Sequence, residues 1–338
     1  MTECGVRPCR PFRIRERGSI FIYIIWVLML LSLFAAGIGS PALFALNLSD
    51  RLSGQLQANY LARGAVPYAA SILAADDTPL YDGLDETWAG SAIFQEHRAP
   101  GGTVSFLMEE PGEGGQRFGL VDEERRLNLN TAPEAVLKRL ATLVGGLSDE
   151  DAVGVAASIA DWRDPDTDQR SAGAEGFHYR TLTHAYDCKD GPFENVEELQ
   201  LVKGVSPALY RRLEPHVTVY GSGAVNLNTA GIEVLRALGL SEPGVKGFMD
   251  FRAGNDTQAH TGDERYVVSV AELESQLKDF VPVEDLARLA ALVKDKAIGA
   301  SSHAFRTTIV ANEARTSASL RAQCVLSRKG AILLWMER

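Results

Sequence analysis

The hexamer LNLNTA occupies residues 127–132, and the closely related VNLNTA follows further along the chain at residues 225–230. Two more matching elements follow in each copy, in the same order: DWR at 161–163 against DFR at 250–252, and NVEEL at 195–199 against SVAEL at 269–273. Self-similarity of this kind predicts two structurally equivalent units. We place the two copies of the repeat at 127–205 and 225–293.

Each element of the repeat begins like a helix. In the first copy, Asn-Thr-Ala precedes Glu134, so that Asn130 or Thr131 would cap free amide groups and the Glu would complement the helix dipole. NVEEL and SVAEL carry the same signal for a later helix. We therefore predict an all-α domain of helical hairpins, which resembles helix-hairpin-helix modules.

Helix-hairpin-helix modules in other proteins bind nucleic-acid phosphates on a Gly-hydrophobic-Gly hairpin. Here the best hairpin is LVKGVS at 201–206, and Ser206 stands where the second Gly belongs. Loss of that Gly restricts the close backbone approach that a phosphate requires. The chain also carries a formal net charge of −10, whereas affinity for nucleic acid depends on Lys and Arg. We expect a structural or protein-contact role and no nucleic-acid partner.

Strand-like segments lie on both sides of the repeat. Two precede most of it, at 103–108 and 117–121, and three follow it, at 304–311, 319–326 and 331–335. Isolated hairpins are marginally stable, so we expect the two sets to pair with each other. Residues 130–297 would then form an insertion within one antiparallel sheet.

The chain begins with a basic segment that leads into a long apolar run. No charged residue occurs between Ser19 and Ser49, and residues 19–46 would extend roughly 42 Å as a helix, enough to cross a membrane. A secretory signal has a shorter apolar region of about 7–15 residues. The Arg residues before position 18 favour a cytoplasmic location for this end. We predict one membrane span, with the bulk of the chain in the compartment opposite the cytoplasm.

The junction between these two segments is Gly18–Ser19. A basic leader, a Gly, a small residue and a long apolar helix together resemble the type IV prepilin signal. The resemblance implies that a prepilin peptidase cuts between Gly18 and Ser19 and that the new terminus is methylated. An uncleaved membrane anchor remains open as an alternative.

The predicted fold class is α+β. The long N-terminal helix, amphipathic beyond its apolar run, packs on a pilin-like antiparallel sheet, and a large all-α domain of helix-hairpin-helix or SAM-like type interrupts that sheet. The predicted order is a leader at 1–18, a transmembrane helix at 19–46, the first part of the pilin-like domain at 47–129, the inserted helical domain at 130–297 and the C-terminal strands at 298–338.

An acidic loop, DPDTDQRSAGAE at 164–175, follows DWR. Positions 1, 3, 5 and 12 of this loop are carboxylates: Asp164, Asp166, Asp168 and Glu175. This spacing is typical of an EF-hand-like calcium loop, although Gln169 replaces the Gly of the sharp turn. Asp161, just before the loop, is a further candidate ligand. We predict that these five residues bind calcium, and a solvated acidic loop is the alternative.

No catalytic constellation occurs in the sequence, so we do not expect an enzyme. The six His residues form no His-x-x-x-His pair, and there is neither a Gly-x-Ser-x-Gly elbow nor a Gly-rich phosphate loop after a strand. Beyond the leader the cysteines are Cys188 and Cys324. They would either pair or remain as two buried thiols.

Taken together, the motifs resemble the general secretion pathway protein K (GspK) family of type II secretion systems. The resemblance rests on the Gly18 junction, the two hexamers, DWRDPD at 161–166, GAE at 173–175 and FENVEEL at 193–199. It implies a pilin-like domain interrupted by a helical domain, with calcium in the acidic loop. It also implies a single-pass protein of the cell inner membrane, with the bulk of the chain in the periplasm. The implied partners are minor pseudopilins I and J, the major pseudopilin fibre, the inner-membrane assembly platform and a prepilin peptidase.

Tyr23 is the fifth residue counted from Ser19, where most pilins carry a Glu. In pilins that Glu attracts the N-terminal amine of the subunit ahead, so a subunit without it suits the first position of a fibre. We predict a minor pseudopilin that caps the pseudopilus tip and nucleates its assembly for protein export across the outer membrane. The alternative function is that of a membrane-anchored helix-hairpin-helix protein for DNA binding or uptake.

Overall fold

The computed structural model describes residues 19–78, 80–109, 116–255 and 263–337. The predicted leader at 1–18, including Gly18, therefore lies outside the described residues. The chain divides into two compact units, Met1–Gly54 and Gln55–Arg338.

The described part of the first unit is helical. Helix α1 spans Ser19–Ala74. The part of α1 in the first unit contains Ile20–Gly37, a stretch that is long and apolar enough to cross a membrane. None of this stretch is buried inside the protein. An exposed apolar surface of this size requires lipid or a protein partner, which fits the predicted single-pass anchor.

In the second unit, α1 continues to Ala74 and contributes a buried stripe at helical spacing, formed by Ala62, Val66, Ala69 and Leu73. The remaining helices and strands follow in chain order: β1 His97–Ala99, β2 Gly102–Met108, β3 Arg117–Phe118, β4 Val121–Asp122, β5 Leu127–Asn128, α2 Glu134–Leu143, α3 Asp149–Arg163, α4 Gly176–Arg180, α5 Pro207–Leu213, β6 Val217–Thr218, β7 Val225–Asn226, α6 Ile232–Leu238, α7 Glu242–Arg252, α8 Leu273–Leu277, α9 Val283–Lys294, β8 Ile298–Gly299, β9 Ala304–Glu313, β10 Ser319–Ser327 and β11 Ile332–Glu337. Short 3₁₀ helices cover Thr87–Ala89, Ala92–Phe94, Glu123–Arg125, Val196–Leu201, Glu214–His216 and Val270–Glu272.

The main sheet is antiparallel and joins strands from both sides of the repeat. Its order is β1-β2-β9-β10-β11, with β3 on β2 and β4 on β9. Phe106 of β2 lies opposite Ile309 of β9, and both are buried against the α1 stripe with Trp88 and Phe94. The expected pairing of the two strand sets is confirmed, and so is the α+β fold class.

The region between the two strand sets has a hydrophobic core of its own, built from α2 to α9. Two short parallel pairs, β5 with β6 and β7 with β8, also lie there. Each hexamer of the repeat begins with one of these strands, a feature that the sequence did not reveal. Two residues are too few to show the alternation by which a strand is recognised.

The helix starts proposed for the hexamers are partly wrong. Helices α2 and α6 begin after Pro133 and Gly231, and neither residue provides a side-chain cap. The later starts are confirmed, since Asn195 forms a full capping box with Glu198 and Ser269 accepts a hydrogen bond from the Ala271 amide. The Asn residues of the hexamers bind distant backbone instead of capping the next helix.

Asn130 and Asn228, the fourth residues of the two hexamers, perform this distant binding. The Asn130 side chain accepts a hydrogen bond from Phe193 N at 2.7 Å and donates one to Phe193 O at 3.0 Å. The Asn228 side chain does the same with Val267, at 2.8 and 3.1 Å. Phe193 and Val267 each stand two residues before the later helix start. The two copies are therefore equivalent in their contacts as well as in their sequence.

Three consecutive buried acids, residues 122–124, connect the sheet to the helical region. Asp122 accepts a hydrogen bond from Asn226 at 3.1 Å, Glu123 accepts one from Thr218 at 2.5 Å, and Glu124 accepts one from the Ser222 amide at 2.6 Å. Because a buried carboxylate without partners is costly, these bonds fix the junction between the two cores.

Cys188 and Cys324 are both free and buried. Cys188 lies in the helical core and Cys324 in the core beneath the sheet. Burial raises the pKa of each thiol to about 12, so both stay protonated at neutral pH.

Candidate metal centre

The acidic loop leaves α3 at a firmly held end. Trp162 packs edge-to-face on Tyr179, with ring centroids 5.2 Å apart. The Arg163 guanidinium donates to Leu129 O and, at 2.8 Å, to Ala132 O, which ties the end of α3 to the first hexamer. Asp161, which directly precedes Trp162 in α3, is fully buried, and it accepts a hydrogen bond from the Arg170 amide of the loop.

Arg170 organises the first half of the loop. Its Nη1 donates to Asp161 Oδ1 at 2.7 Å and to Asp164 Oδ2 at 2.5 Å. These hydrogen bonds, first to Asp161 and then to Asp164, raise the pKa of Arg170. A Cβ atom on Gly173 would clash with Asp161 Oδ2, so a residue without a side chain is required there. The loop therefore folds back on Asp161.

Glu175 closes the loop and is only 4% exposed. Both of its carboxylate oxygens are buried and have no hydrogen-bond partner in the described part of the chain, and the same holds for Asp164 Oδ1 and Asp190 Oδ1. Burial, followed by the charges of Asp190, Asp161 and Asp164, raises the pKa of Glu175. Buried polar atoms in native proteins are nearly always paired, so this group lacks a positive partner.

The structure brings some of the predicted ligands together and leaves others apart. Asp161 and Asp164 meet on Arg170, and Glu175 lies within electrostatic reach of both. Asp166 and Asp168 are exposed, and the Asp168 amide donates to Asp166 Oδ1 at 2.9 Å. They thus stand in the outer part of the loop.

Asp190 is a candidate ligand that sequence reasoning missed. Glu175, Cys188 and Asp190 each place one possible ligand atom within 4.8 Å of the other two. Asp190 follows Glu175 at a distance along the chain that matches no metal-binding motif. The only local signal that could have drawn attention to Asp190 is its place shortly before FENVEEL. Its proximity to Glu175 results from the packing of the loop on the helical core.

The donor set of this centre fits a hard cation. Calcium takes six to eight oxygen ligands, and carboxylates are the commonest of them. Glu175 and Asp190 offer carboxylate oxygens, and burial raises the pKa of the neighbouring Cys188 thiol to about 12. Arg170 already balances Asp161 and Asp164, which leaves Glu175 and Asp190 as the carboxylates in need of positive charge.

A second group of acids shows the contrast. Asp76, Asp82 and Glu86 also lie within ligand distance of one another. Arg328 binds both Asp residues, with Nη1 3.0 Å from Asp76 Oδ2, and Glu86 accepts hydrogen bonds from Gly83 N at 2.7 Å and Trp88 Nε1 at 2.8 Å. This group is already paired and needs no cation.

The segment 201–206 turns at Gly204. Gly204 has a φ of +84°, which favours glycine, and Ser206 caps α5 by accepting a hydrogen bond from Leu209 N at 3.1 Å. The Ser206 hydroxyl therefore has a structural partner in the position where the second Gly of a phosphate-binding hairpin would stand.

The chain is similar to known proteins of one family. A family model described as type II secretion system (T2SS), protein K, matches residues 119–222, which include the first hexamer and the acidic loop. Type II secretion system protein K of Pseudomonas aeruginosa is 28% identical over 286 residues, which cover 75% of this chain and 81% of the relative. The protein of that name from Aeromonas hydrophila is 29% identical over 224 residues, covering 64% of this chain and 67% of the relative.

A solved structure shares the fold. A chain in the crystal structure of the GspK-GspI-GspJ complex from the enterotoxigenic Escherichia coli type 2 secretion system matches with a TM-score of 0.61 and 18% identity. The match covers 88% of this chain and 99% of that chain. The family model and the relatives confirm the resemblance that the motifs indicate, to protein K of type II secretion systems.

Proposed function

We propose that the chain is a minor pseudopilin that caps the pseudopilus tip and nucleates its assembly for protein export across the outer membrane. The observation that carries this proposal is the pairing of β2 with β9, which makes the whole repeat an insertion within a pilin-like sheet. In this proposal α1 anchors the chain in the inner membrane, and the second unit lies in the periplasm. Tyr23, in place of the pilin Glu, suits a subunit with no other subunit ahead of it.

The decisive test of the pilin class is cleavage at Gly18–Ser19. The full chain would be co-expressed with a prepilin peptidase, and its N-terminus determined by mass spectrometry. We expect a new, methylated terminus at Ser19 that is lost in a Gly18→Ala control. An intact leader in the presence of active peptidase would favour the uncleaved anchor instead.

We further propose minor pseudopilins I and J as partners, as in the solved complex that shares the fold. Within the second unit, Leu56 and Tyr60 of α1 are exposed, Tyr60 by 74%. A groove of about 350 Å³ lies beside Tyr60 and is walled by Leu61, Tyr68 and Pro100. Exposed aromatic residues next to an apolar groove are typical of protein interfaces.

Co-purification of the full chain with pseudopilins I and J in neutral detergent tests this surface. Leu56→Asp combined with Tyr60→Asp should abolish the complex, because both charges would enter an apolar contact. Val283→Asp, at a residue 79% exposed at the start of α9, is the matched control and should leave the complex intact. Retention of the complex by the double variant would exclude the surface around Leu56 and Tyr60 as the interface.

Finally, we propose that calcium binds the acidic centre through Glu175, Asp190, Asp164 and Asp161, with Asp166 and Asp168 as outer loop ligands. When bound, calcium would supply the positive charge that Glu175 and Asp190 lack, and it would stiffen the loop. Calorimetric titration of the full chain with calcium should show saturable binding that Glu175→Gln abolishes. Asp250→Asn, in the second copy of the repeat, should bind like the wild type. Equal binding by Glu175→Gln would reject this ligand set.

A further inference from the structure

The segment 201–206 contacts the acidic loop through one side chain. Lys203 Nζ donates a hydrogen bond to Gly173 O at 2.9 Å, although the two residues are 30 positions apart in the chain. Gln169 Nε2 donates to the same carbonyl at 3.0 Å. Gly173 stands two residues before Glu175, so these two donors hold the part of the loop that carries the closing carboxylate.

The backbone that carries Lys203 is itself fixed by buried aromatic residues. The Lys203 amide donates to the Tyr179 hydroxyl at 3.3 Å, and the Tyr186 hydroxyl donates to Leu201 O at 2.7 Å. Tyr179 is fully buried, and its ring packs on Trp162 and on Tyr186. Lys203 therefore reaches the loop from a fixed base, and the position of the Gly173 carbonyl depends on the segment 201–206.

The ammonium group of Lys203 is bound to a carbonyl and not to a carboxylate. Lys203 forms no ion pair in the described part of the chain, and Glu175 keeps both carboxylate oxygens without a hydrogen-bond partner there. In the second group of acids, by contrast, Arg328 binds Asp76 and Asp82 directly. A side-chain cation on the carboxylates takes the place of a metal ion. A side-chain cation on a neighbouring carbonyl holds the loop and leaves the carboxylates open.

We propose that Lys203 is a positioning residue of the acidic centre, which holds Gly173 and Glu175 in place for calcium and couples calcium binding to the order of the segment 201–206. The inference rests on the calcium binding proposed above. Coupling between two sites is reciprocal. If the segment 201–206 strengthens calcium binding through Lys203, bound calcium must therefore stabilise that segment by the same free energy.

Calorimetric titration with calcium, on the full chain in neutral detergent, tests the positioning role. We expect Lys203→Met to weaken calcium binding about tenfold, because a charge-assisted hydrogen bond to the loop is lost. Removal of a positive charge without a positioning role would instead tighten the binding of a cation. Lys203→Arg keeps a charged donor and should recover most of the affinity. Lys246→Met, at an exposed residue of the second copy, is the matched control and should bind like the wild type.

Hydrogen exchange measured by mass spectrometry tests the coupling in the wild type, so that this test does not depend on the folding of a variant. Calcium should slow amide exchange in the segment 201–206 and leave residues 277–282 of the second copy unchanged. In Lys203→Met, calcium should no longer slow exchange in the segment 201–206.

The outcomes separate this inference from the calcium proposal. Equal or tighter calcium binding by Lys203→Met overturns the inference and leaves the calcium proposal intact. The same holds for a wild type that binds calcium without slower exchange in the segment 201–206. Absence of calcium binding by the wild type overturns both.

Discussion

In the first copy of the repeat, Arg163 donates to the carbonyl of Ala132, and in the second copy Arg252 donates to the carbonyl of Ala230 at 2.6 Å. Asn130 and Asn228 bind the backbone of Phe193 and Val267 in the same paired way. The first residue of each hexamer also joins a parallel strand pair, Leu127 with Val217 and Val225 with Ile298. The two copies therefore share a frame of side-chain-to-backbone contacts that does not depend on the loops between them.

The copies differ in the segments attached to this frame. Asp161 of the first copy is fully buried and receives Arg170 from the acidic loop, whereas its counterpart Asp250 is exposed. In the first copy the loop continues to Glu175, whose carboxylate is buried without a partner in the described residues. Because the frame is shared, the loop of the first copy can carry additional carboxylates without loss of the fold.

The largest expected effect on stability comes from the buried aromatic residue that precedes the arginine in each copy, Trp162 or Phe251. Trp162→Ala and Phe251→Ala should each lower the free energy of unfolding by about 3–5 kcal/mol, because a large buried ring is replaced by a cavity. Urea unfolding of the full chain in detergent, followed by circular dichroism, measures both. An effect confined to one copy would show that the copies are not energetically equivalent.

The hexamer Asn residues should give the next largest effect. Asn228→Ala should cost about 3 kcal/mol and Asn130→Ala about 2 kcal/mol, since each leaves backbone groups of a distant segment unpaired and Asn228 is the more buried. The same urea titration measures both variants. The double variant should show nearly additive losses of stability, because the Asn130 and Asn228 side chains share no hydrogen-bond partner. Strong non-additivity would indicate that one set of hydrogen bonds depends on the other.

The acidic centre should separate the two copies most clearly. Without calcium, Glu175→Gln should raise the free energy of unfolding by about 1 kcal/mol, because it removes an unpaired buried charge. Asp250→Asn, at the exposed counterpart, should change it by less than about 0.5 kcal/mol. With calcium present, Glu175→Gln should instead be less stable than the wild type. A stability difference between Glu175→Gln and the wild type that is the same with and without calcium would contradict the proposed role of Glu175.

The pH dependence of stability gives a smaller signal of the same origin. The pKa of Glu175 is raised above its ordinary value of 4.5, so the folded chain holds a proton that the unfolded chain releases in the window between the two values. Stability without calcium should therefore rise as pH falls through this window. Comparison of thermal midpoints from pH 7 to 5 in wild type and Glu175→Gln isolates this contribution, which the variant should lack.

The smallest effect is expected at the hairpin of the first copy. Ser206→Gly restores a Gly-Val-Gly hairpin and removes the cap of α5, which should cost only a few tenths of a kcal/mol. We expect no gain of duplex DNA binding, since the chain remains acidic. Salt-dependent binding of a labelled duplex by this variant, measured in a gel shift, would revive the DNA-uptake alternative.

Local signals made much of this architecture readable from the sequence. The uncharged run from Ser19 indicates a membrane-crossing helix through its length, and alternating apolar residues mark most strands of the sheet. Asn195 and Ser269 reveal their helix starts because a cap depends only on residues within one turn. The order of the motifs, from Gly18 to the second hexamer, was enough to indicate the resemblance to a family, because it combines signals from most of the chain.

Other features were decided by the tertiary structure alone. Asp190 approaches Glu175, and Asn130 and Asn228 bind distant backbone instead of capping α2 and α6. Arg126 and Arg306, from two separate segments, share Oε1 of Glu123. No local pattern encodes such contacts, because they depend on how two hydrophobic cores pack and on which polar groups that packing removes from water. The sequence by itself thus determined the elements, the repeat and the membrane helix, while the packing of those elements decided which charged groups meet.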